Sequence, residues 1–490
     1  MCYPSVLPRI GGKVSKLSIK RREFLKWTGI TTSMALLAAC GPKAAEPSGG
    51  GSAAKPDETA PEKTTETVKL KFQSREAEVP EGMMEMWKVF YPAFRDEHPD
   101  IEVEYLSSPP DLTEALLAQM VAGDCADMVE ICCWVTQLFI QKGETHNLQP
   151  LIDRDAEEVK PDDFYEHAFD LLRDAEGDIN SMPRFTGTFT VFYNKDMFDE
   201  IGVEYPSHEW GGWTFEDYRR LGLEFVKRDQ PMRFGTSNYG LGANWLSQVY
   251  LWGWGANMVD PDDNTRCALG DPNAQECLEW MQKFIWDDHV FAMGAEMGGL
   301  GVQELFLGGK IAMMEMGPWG LDQVKDGAPF NWDIASFPSG PRGMTTLQGT
   351  NSTFMWAGSK HIEESWTFMK EYSSPEFEEM YAKFCVKQPS RMSVVDKFAS
   401  ILRESDSYWD ELNVECFADS MKAGAGRDEG CFAKDSVTKN QILGPAFDQV
   451  MKLGDAPVNL IAQHAEIATA FNRDEIAVED LGAAMEELQN

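Results

Sequence analysis

The side chains of this chain that could bind a metal or act as nucleophiles include seven histidines and ten cysteines. The histidines show no His-Glu-x-x-His spacing and no cluster with cysteine, so the sequence predicts no metal site. A Gly-x-Ser-x-Gly elbow and a phosphate-binding glycine loop are also absent. The 80 acidic residues offer so many carboxylate pairs that a glycosidase pair stays an open alternative. We therefore predict a protein that is not an enzyme and needs no cofactor.

Two local patterns favour structural roles. Residues 260–264 (DPDDN) resemble the start of a calcium loop, but threonine follows where such a loop needs glycine, so we expect a polar turn between strands. Cys267 with Cys277, and Cys416 with Cys431, are close enough in sequence to form disulfides. The sequence leaves their connectivity open.

Composition limits the class of protein and its partners. The chain has 490 residues, of which 44 are basic and 80 acidic, for a net charge of −36. At about 150 residues per domain this length suggests two or three domains. The acidity argues against nucleic acid, because binding there depends on basic groups that displace phosphate counterions. It also argues against a polybasic contact with anionic lipid.

The amino-terminal segment, residues 1–40, is predicted to be an export signal. Arg21 and Arg22 precede a 13-residue apolar run, which at about 20 Å is too short to cross a bilayer core. The pair resembles a twin-arginine signal, although Lys20 stands where that pattern prefers serine or threonine, so the general secretory route stays open. Small residues before Cys40 resemble a lipobox and predict lipidation of this cysteine, with a plain secretory signal as the alternative.

Behind this signal, residues 41–67 contain no aromatic and no large aliphatic residue. They cannot bury enough surface to offset the cost of ordering, so a disordered linker is predicted.

The elements that must position a site follow the linker. Strand and helix periods alternate in the order strand, helix, strand, helix, strand at residues 68–72, 81–98, 101–105, 111–123 and 128–133. This order predicts an α/β fold with a parallel sheet and helices on both faces. Ligands of such sheets bind beyond the carboxyl ends of the strands.

Further elements follow along the chain. We expect strands at 185–193, 333–335 and 352–356, a helix from Lys195, a capping box at Thr214–Asp217, and a helix opened by Ser374 and Pro375.

Several segments then resemble, in the same order, the motifs of bacterial extracellular solute-binding proteins, the sugar-binding branch of ABC importers. They are FRDEHPDIEVEY (94–105), LLAQMVAGD (116–124) with ADMV (126–129), YNKDMF (193–198), and FLGGKIAMM (306–314) with GPW (317–319). The resemblance extends from about residue 68 to 395. Ala126 departs from it, because the family usually has proline there.

The resemblance implies a two-lobed periplasmic-binding-protein fold of type II, each lobe a mainly parallel sheet flanked by helices. The hinge crossings would fall near 183–190, 335–343 and 384–392. The implied division is lobe 1 at 68–183, lobe 2 at 184–335, a return to lobe 1 at 336–390, and a helical carboxyl-terminal part at 391–490 that packs on both lobes.

Aromatic candidates for ligand contact follow from what a sugar needs, since its C–H faces stack on rings. Trp134 ends the predicted third strand, and Trp319 stands at a strand-to-loop break. Tyr239 and Trp245 belong to a small polar loop of lobe 2. The tryptophans at 252 and 254 are explained as well by helix packing.

Polar candidates would bind the hydroxyls. Arg75 follows the first strand and Arg184 lies at the first crossing, where either guanidinium could bind hydroxyls or an acidic sugar, or instead form a salt bridge. Asn351 lies where the chain re-enters the cleft.

The resemblance and the predicted lipobox together imply a monomeric lipoprotein that is anchored outside the cytoplasm and captures a mono- or oligosaccharide. It would close on its ligand and deliver it to an ABC permease with its ATPase subunits. Two alternatives stay open: the same fold binding a peptide, polyamine or other solute, and an exported carbohydrate-active enzyme.

Overall fold

The computed structural model describes residues 67–76, 81–109, 111–227, 232–237, 242–344, 346–423, 426–427 and 430–488. The predicted export signal with Arg21 and Arg22, the lipidation residue Cys40 and the linker up to residue 66 lie outside these residues, as does Tyr239. Residues from Thr67 onward form one compact unit. None of the described helices is both long enough and apolar enough to cross a membrane.

The strands are β1 (Val68–Gln73), β2 (Ile101–Leu106), β3 (Met128–Cys132), β4 (Ser181–Phe185), β5 (Thr190–Asn194), β6 (Val259–Asp260), β7 (Asp263–Cys267), β8 (Met313–Met316), β9 (Trp332–Ala335), β10 (Thr346–Leu347), β11 (Asn351–Met355) and β12 (Gly426–Arg427). The α-helices are α1 (Glu81–Glu97), α2 (Leu112–Ala122), α3 (Cys133–Gln141), α4 (Gln149–Arg154), α5 (Ala156–Val159), α6 (Lys195–Ile201), α7 (Phe215–Glu224), α8 (Trp245–Gly253), α9 (Pro272–Trp286), α10 (Val302–Leu307), α11 (Leu321–Gly327), α12 (Ile362–Tyr372), α13 (Pro375–Cys385), α14 (Met392–Val395), α15 (Phe398–Ser405), α16 (Glu415–Lys422), α17 (Asp435–Val437), α18 (Gly444–Phe447), α19 (Asn459–Asn472) and α20 (Leu481–Glu487).

Five strands form the first sheet, in the order β2-β1-β3-β11-β4, and we call the part of the chain built on it lobe 1. β1 pairs in parallel with β2 and β3, because helices α1 and α2 return the chain to the same edge of the sheet. β11 runs antiparallel to both β3 and β4. The predicted α/β class with a mainly parallel sheet is confirmed here.

The second sheet, the basis of lobe 2, has the order β8-β5-β9. β5 runs antiparallel to both neighbours, unlike the mainly parallel sheet expected. β8 and β9 are connected through α11 and run in the same direction, and β5 lies between them in the opposite direction. The single strand predicted over 185–193 is therefore wrong, since β4 and β5 belong to different sheets.

Both faces of the second sheet are covered, and the alternation along β5 shows how. Val191 and Tyr193 pack into a core with the outer helices of lobe 2, whereas Phe192 packs with Phe398 and Phe417 of the carboxyl-terminal part. The carboxyl-terminal part also reaches lobe 1, where Met421 packs in the core under the first sheet.

The helix caps at Thr214 and Ser374 are confirmed. Thr214 and Asp217 form the capping box, and the Ser374 hydroxyl accepts a hydrogen bond from Phe377 N at 3.1 Å. The helix predicted over 111–123 begins at Leu112, and Asp111 before it has a left-handed φ of 54° and a side chain that accepts no capping hydrogen bond.

Neither disulfide that sequence spacing allowed is formed. Cys267, Cys277 and Cys416 carry free thiols and are buried. The polar turn expected at residues 260–264 connects the antiparallel strands β6 and β7.

A buried ion pair lies inside the first sheet. Arg184 of β4 and Glu130 of β3 are both fully buried, and Arg184 Nη2 lies 2.5 Å from Glu130 Oε1. The guanidinium also donates to the Tyr372 hydroxyl at 3.0 Å and to the Tyr381 hydroxyl at 2.6 Å. Burial opposes the charge of Arg184, but the nearby carboxylate raises its pKa above the usual range. Arg184 thus forms a salt bridge in the core, which is the alternative to ligand contact that the sequence left open.

A second buried acid, Glu315 of β8, has no cation beside it among the described residues. Its Oε1 accepts hydrogen bonds from Tyr218 Oη at 3.1 Å and from Tyr250 Oη. Burial raises the pKa of Glu315 to about 7, although these hydroxyls and that of Ser237 act in the opposite direction.

We expect Arg184→Met to lower the free energy of unfolding by about 3–5 kcal/mol, because it leaves Glu130 as an unpaired buried charge. The double variant Glu130→Gln/Arg184→Met should recover most of that loss. Guanidinium unfolding at pH 7.4 measures both variants. Equal stability of the single and double variants would contradict the pairing.

Glu315 should make stability depend on pH. Between its unfolded value near 4.5 and its folded value near 7, the native state holds the proton that the unfolded state releases, so stability falls as pH rises. Glu315→Gln keeps an acceptor for both tyrosines but cannot titrate. It should therefore remove the contribution of Glu315 to the loss of unfolding free energy, about 1–3 kcal/mol between pH 5 and pH 8. Melting curves of both proteins across that range test this expectation, and parallel curves would contradict it.

Candidate functional site

Both sheets present the carboxyl ends of strands where the chain passes between the lobes. In lobe 1, β3 ends at Cys132 opposite Asn351, the first residue of β11. In lobe 2, β8 ends at Met316 opposite Thr190, the first residue of β5. Residues that follow these strand ends, such as Trp134 and Trp319, are therefore placed beside the crossings.

Three segments lie side by side at this place, and we call residues 186–189, 346–350 and 386–391 the crossing ladder. The first segment is in the middle. On one side Phe189 N donates to Leu347 O at 3.1 Å and Gly349 N donates to Gly187 O at 3.2 Å. On the other side Thr186 N donates to Gln388 O at 3.0 Å.

The side chain of Gln388 adds further bonds to the ladder. Its Oε1 accepts from Thr188 N at 2.8 Å, and its Nε2 donates to Thr188 Oγ1 at 2.8 Å. Nε2 also donates to the carbonyl of Phe417 in α16 at 2.9 Å. Since Gln388 is fully buried, these groups have no water to replace a lost partner.

Three aromatic rings cluster at the lobe 2 side of the ladder. The rings of Trp319 and Phe189 are nearly parallel, with centroids 6.3 Å apart, and Trp245 meets Phe189 edge-on at 5.2 Å. Trp319 also lies against Gly187, where a Cβ atom would be 2.6 Å from its Cζ3. A glycine is therefore required in the first segment for this ring to approach the backbone.

Trp134 lies on the lobe 1 side, in the first turn of α3. Its Cζ3 would be 3.7 Å from a Cβ at Gly349, so the ring lies against the second segment. Among the described residues, three polar atoms of this region are shielded from solvent and lack a hydrogen-bond partner: Trp134 Nε1, Gln348 Nε2 and Thr186 Oγ1. Buried polar groups are almost always paired, so these three atoms are candidates for hydrogen bonds to water or to a ligand.

Charged side chains lie at the edge of lobe 1 that borders the crossing ladder. Arg75 Nη1 donates to Asn351 Oδ1, and Arg75 Nε lies 3.8 Å from Glu76 Oε1. Lys387, next to Gln388 in the ladder, is within electrostatic range of Glu76 and Asp322. Burial lowers the pKa of Lys387, while the two carboxylates act in the opposite direction.

The structure brings the predicted residues together in two groups. Arg75 and Asn351 are hydrogen-bonded, and the rings of Trp245 and Trp319 are edge-on with centroids 6.4 Å apart. Trp134 lies at the same sheet edge as the first pair. Arg184 faces the core of lobe 1, and Tyr239 lies outside the described residues.

Sequence reasoning missed Gln388, Lys387 and Phe189. All three lie within the hinge crossings that the family resemblance implied, so the resemblance predicted their location in the fold. Their roles depend on which neighbouring segment each side chain meets, and no local pattern encodes that. The described residues of this edge offer no group of three metal-ligating side chains.

Known proteins resemble this chain in sequence and in fold. The family model described as bacterial extracellular solute-binding protein matches residues 76–379. A Brucella abortus protein named only as a binding protein is 27% identical over 289 residues, 56% of this chain and 65% of that protein. The maltotriose-binding protein of Pyrococcus abyssi is 23% identical over 323 residues, 61% of this chain and 64% of its own length. The matched region thus spans slightly less than two thirds of each relative.

Among solved structures, an ABC substrate-binding protein from Listeria monocytogenes in complex with cycloalternan superposes with a TM-score of 0.71 at 20% identity, covering 84% of this chain and 100% of that one. At this identity the similarity concerns the fold, which confirms the two-lobed architecture. Because the family model matches more than half of the chain and includes strands of both sheets, this protein belongs to the bacterial extracellular solute-binding protein family.

Proposed function

We propose that this chain is the solute-binding lipoprotein of an ABC importer and captures a mono- or oligosaccharide by closure of its two lobes. The observation that carries this proposal is the set of shielded, unpaired polar atoms on Trp134, Gln348 and Thr186 beside the crossing ladder. A sugar hydroxyl can accept from an N–H group and donate to another oxygen, so one kind of ligand satisfies all three.

The aromatic rings support the same class of ligand. Trp134 and Trp319 are each half-buried and lie against glycines of the ladder. Sugar C–H faces stack on such rings, while hydroxyls at the rim meet groups such as Arg75 and Asn351. The names of the relatives agree, since one binds maltotriose and another structure holds cycloalternan.

Delivery completes the proposed function. Lipidation at Cys40, after export directed by Arg21 and Arg22, would anchor a monomeric protein outside the cytoplasm on the linker of residues 41–67. The closed form would dock on a permease and its ATPase subunits, and the sugar would be handed over chemically unchanged. Ligand need only favour the closed lobes over the open ones to produce this signal.

Thermal-shift and calorimetric screening of the full chain tests the proposal, with maltotriose, glucose and arabinose as sugar probes. Stabilisation by a sugar, with no cleavage product detected by chromatography over hours, supports it. Stabilisation only by spermidine or a short peptide would instead indicate the same fold binding another solute. Release of sugar fragments would identify an exported carbohydrate-active enzyme.

The tryptophans make the site testable. We expect Trp134→Ala and Trp319→Ala each to weaken sugar binding by about 1–3 kcal/mol, roughly 5- to 150-fold in Kd, because each removes a stacking surface. Trp280→Ala is the matched control, since Trp280 is half-buried on α9 and donates to Glu216 at 2.8 Å. Titration calorimetry with the best sugar measures all three variants. Unchanged affinity of both site variants would remove these residues from the site.

The ladder predicts a different effect for Gln388→Met. This variant leaves Thr188 N without its acceptor and removes one donor to Phe417 O, which still accepts from the Ser420 hydroxyl at 2.9 Å. We therefore expect stability to fall by about 1–3 kcal/mol and the lobe–lobe equilibrium to shift. Gln282→Met is the control, because Gln282 Nε2 also donates to two carbonyls, Val450 O at 3.3 Å and Ala456 O at 2.8 Å, but these bonds join α9 to the carboxyl-terminal part and involve no residue of the ladder. Small-angle scattering with and without sugar should show an altered radius of gyration only for Gln388→Met. Identical scattering of the two variants would contradict a hinge role.

A further inference from the structure

A cluster of three metal-ligating side chains lies on lobe 1, away from the crossing ladder. One ligand atom each from Glu97, His98 and Glu371 can be chosen so that all three lie within 4.8 Å of one another. Glu97 ends α1, His98 follows it directly, and Glu371 belongs to α12. Because 273 positions separate the two parts of the cluster in the chain, no spacing motif indicates it.

Rigid elements hold the ligands in place. His98 N donates to Phe94 O at 2.8 Å, and His98 O accepts from Ile101 N at 3.1 Å. The Phe94 ring packs against the imidazole, with centroids 4.9 Å apart, and against Phe368 of α12 at 5.4 Å. The helices that supply the three ligands are therefore fixed to each other by core contacts.

The imidazole has a free nitrogen in this cluster. His98 Nε2 is shielded from solvent and makes no hydrogen bond among the described residues. The Oε1 atom of Glu371 is 3.9 Å away, which is too far for a hydrogen bond. Zinc–ligand bonds of about 2.0–2.2 Å place neighbouring ligand atoms about 3.3 Å apart, so modest side-chain rotations would enclose an ion.

The local charge also favours a cation. Glu97, Glu158 and Glu376 lie within electrostatic range of Glu371, and their negative charges attract a cation. Lys370, next to Glu371 in the chain, has its ammonium 2.6 Å from Glu158 Oε2 and 3.2 Å from Asp155 Oδ2. Its charge is thus paired with two carboxylates outside the cluster.

We propose that Glu97, His98 and Glu371 form a binding site for a divalent transition metal such as Zn²⁺. One imidazole nitrogen and two carboxylate oxygens are ligands that zinc accepts, whereas Ca²⁺ and Mg²⁺ prefer oxygen alone. Water would take the fourth position. The ion would connect the end of α1 to α12 and stabilise lobe 1.

The site is separate from the proposed sugar site. Ile101, bonded to His98, begins β2, whereas the sugar candidates follow the carboxyl ends of the strands. Six residues of strand separate these edges by about 20 Å. Zinc binding and sugar binding should therefore be measurable independently.

Calorimetric titration of the full, untagged chain with ZnCl₂ tests the proposal, together with Co²⁺ absorption as a direct report of an N/O ligand set. We expect one equivalent of Zn²⁺ to bind with micromolar or tighter affinity and to raise Tm. His98→Ala and Glu371→Gln should each weaken binding about tenfold or more. Sugar affinity should not change in either variant.

The control is His167→Ala. His167 Nδ1 lies 2.8 Å from Asp170 Oδ2, so it has a carboxylate neighbour, but it belongs to no three-ligand group among the described residues. Its replacement should leave zinc binding intact. The proposal is overturned if the wild-type chain binds no Zn²⁺ at millimolar concentration, or if His98→Ala binds as the wild type does.

Discussion

The hydrogen bonds of the crossing ladder are the constraint on which the rest of the molecule depends. The polar residues of these segments, including Thr186, Thr188, Gln348 and Gln388, are almost completely buried. Breaking a bond among them leaves groups that water cannot reach, at a cost of about 1–3 kcal/mol each. In the proposed rotation of one lobe against the other, the hydrogen bonds of the ladder must therefore stay intact. The rotation would then change the backbone dihedral angles of the residues that flank the ladder.

This constraint also explains where the two tryptophans lie. Trp319 contacts Gly187 in the first segment, and Trp134 contacts Gly349 in the second. Points close to a rotation axis move least, so in the proposed closure about the ladder both rings would keep their places. The proposed stacking surfaces would then be present before a ligand arrives, which lowers the ordering cost of binding. The polar groups farther out, Arg75 and Asn351, already hold each other through a hydrogen bond.

The sequence predicted the sheet edge better than it predicted individual side chains. The position of Trp134 followed from strand–helix alternation, because residues after parallel strands share one edge of a sheet. The bond between Arg75 and Asn351 joins residues 276 positions apart, and only the antiparallel insertion of β11 brings them together. The sequence did not predict the direction in which the Arg184 side chain points, because every residue of β4 is buried. A strand without polar alternation does not show which side chain faces the core.

The two sides of the first segment are not equivalent, and this difference shows where the hinge can be adjusted. The second segment is joined to it by two backbone bonds, which no side-chain substitution removes. The third segment is joined to it largely through Gln388. The same segment is also bonded to Glu378, whose carboxylate accepts hydrogen bonds from Ser390 N at 3.0 Å and Arg391 N at 2.8 Å. Burial raises the pKa of Glu378 to about 7, so this support changes charge near neutral pH. Substitutions at these two positions can change the stiffness of the hinge while the backbone pairing of the other two segments stays intact.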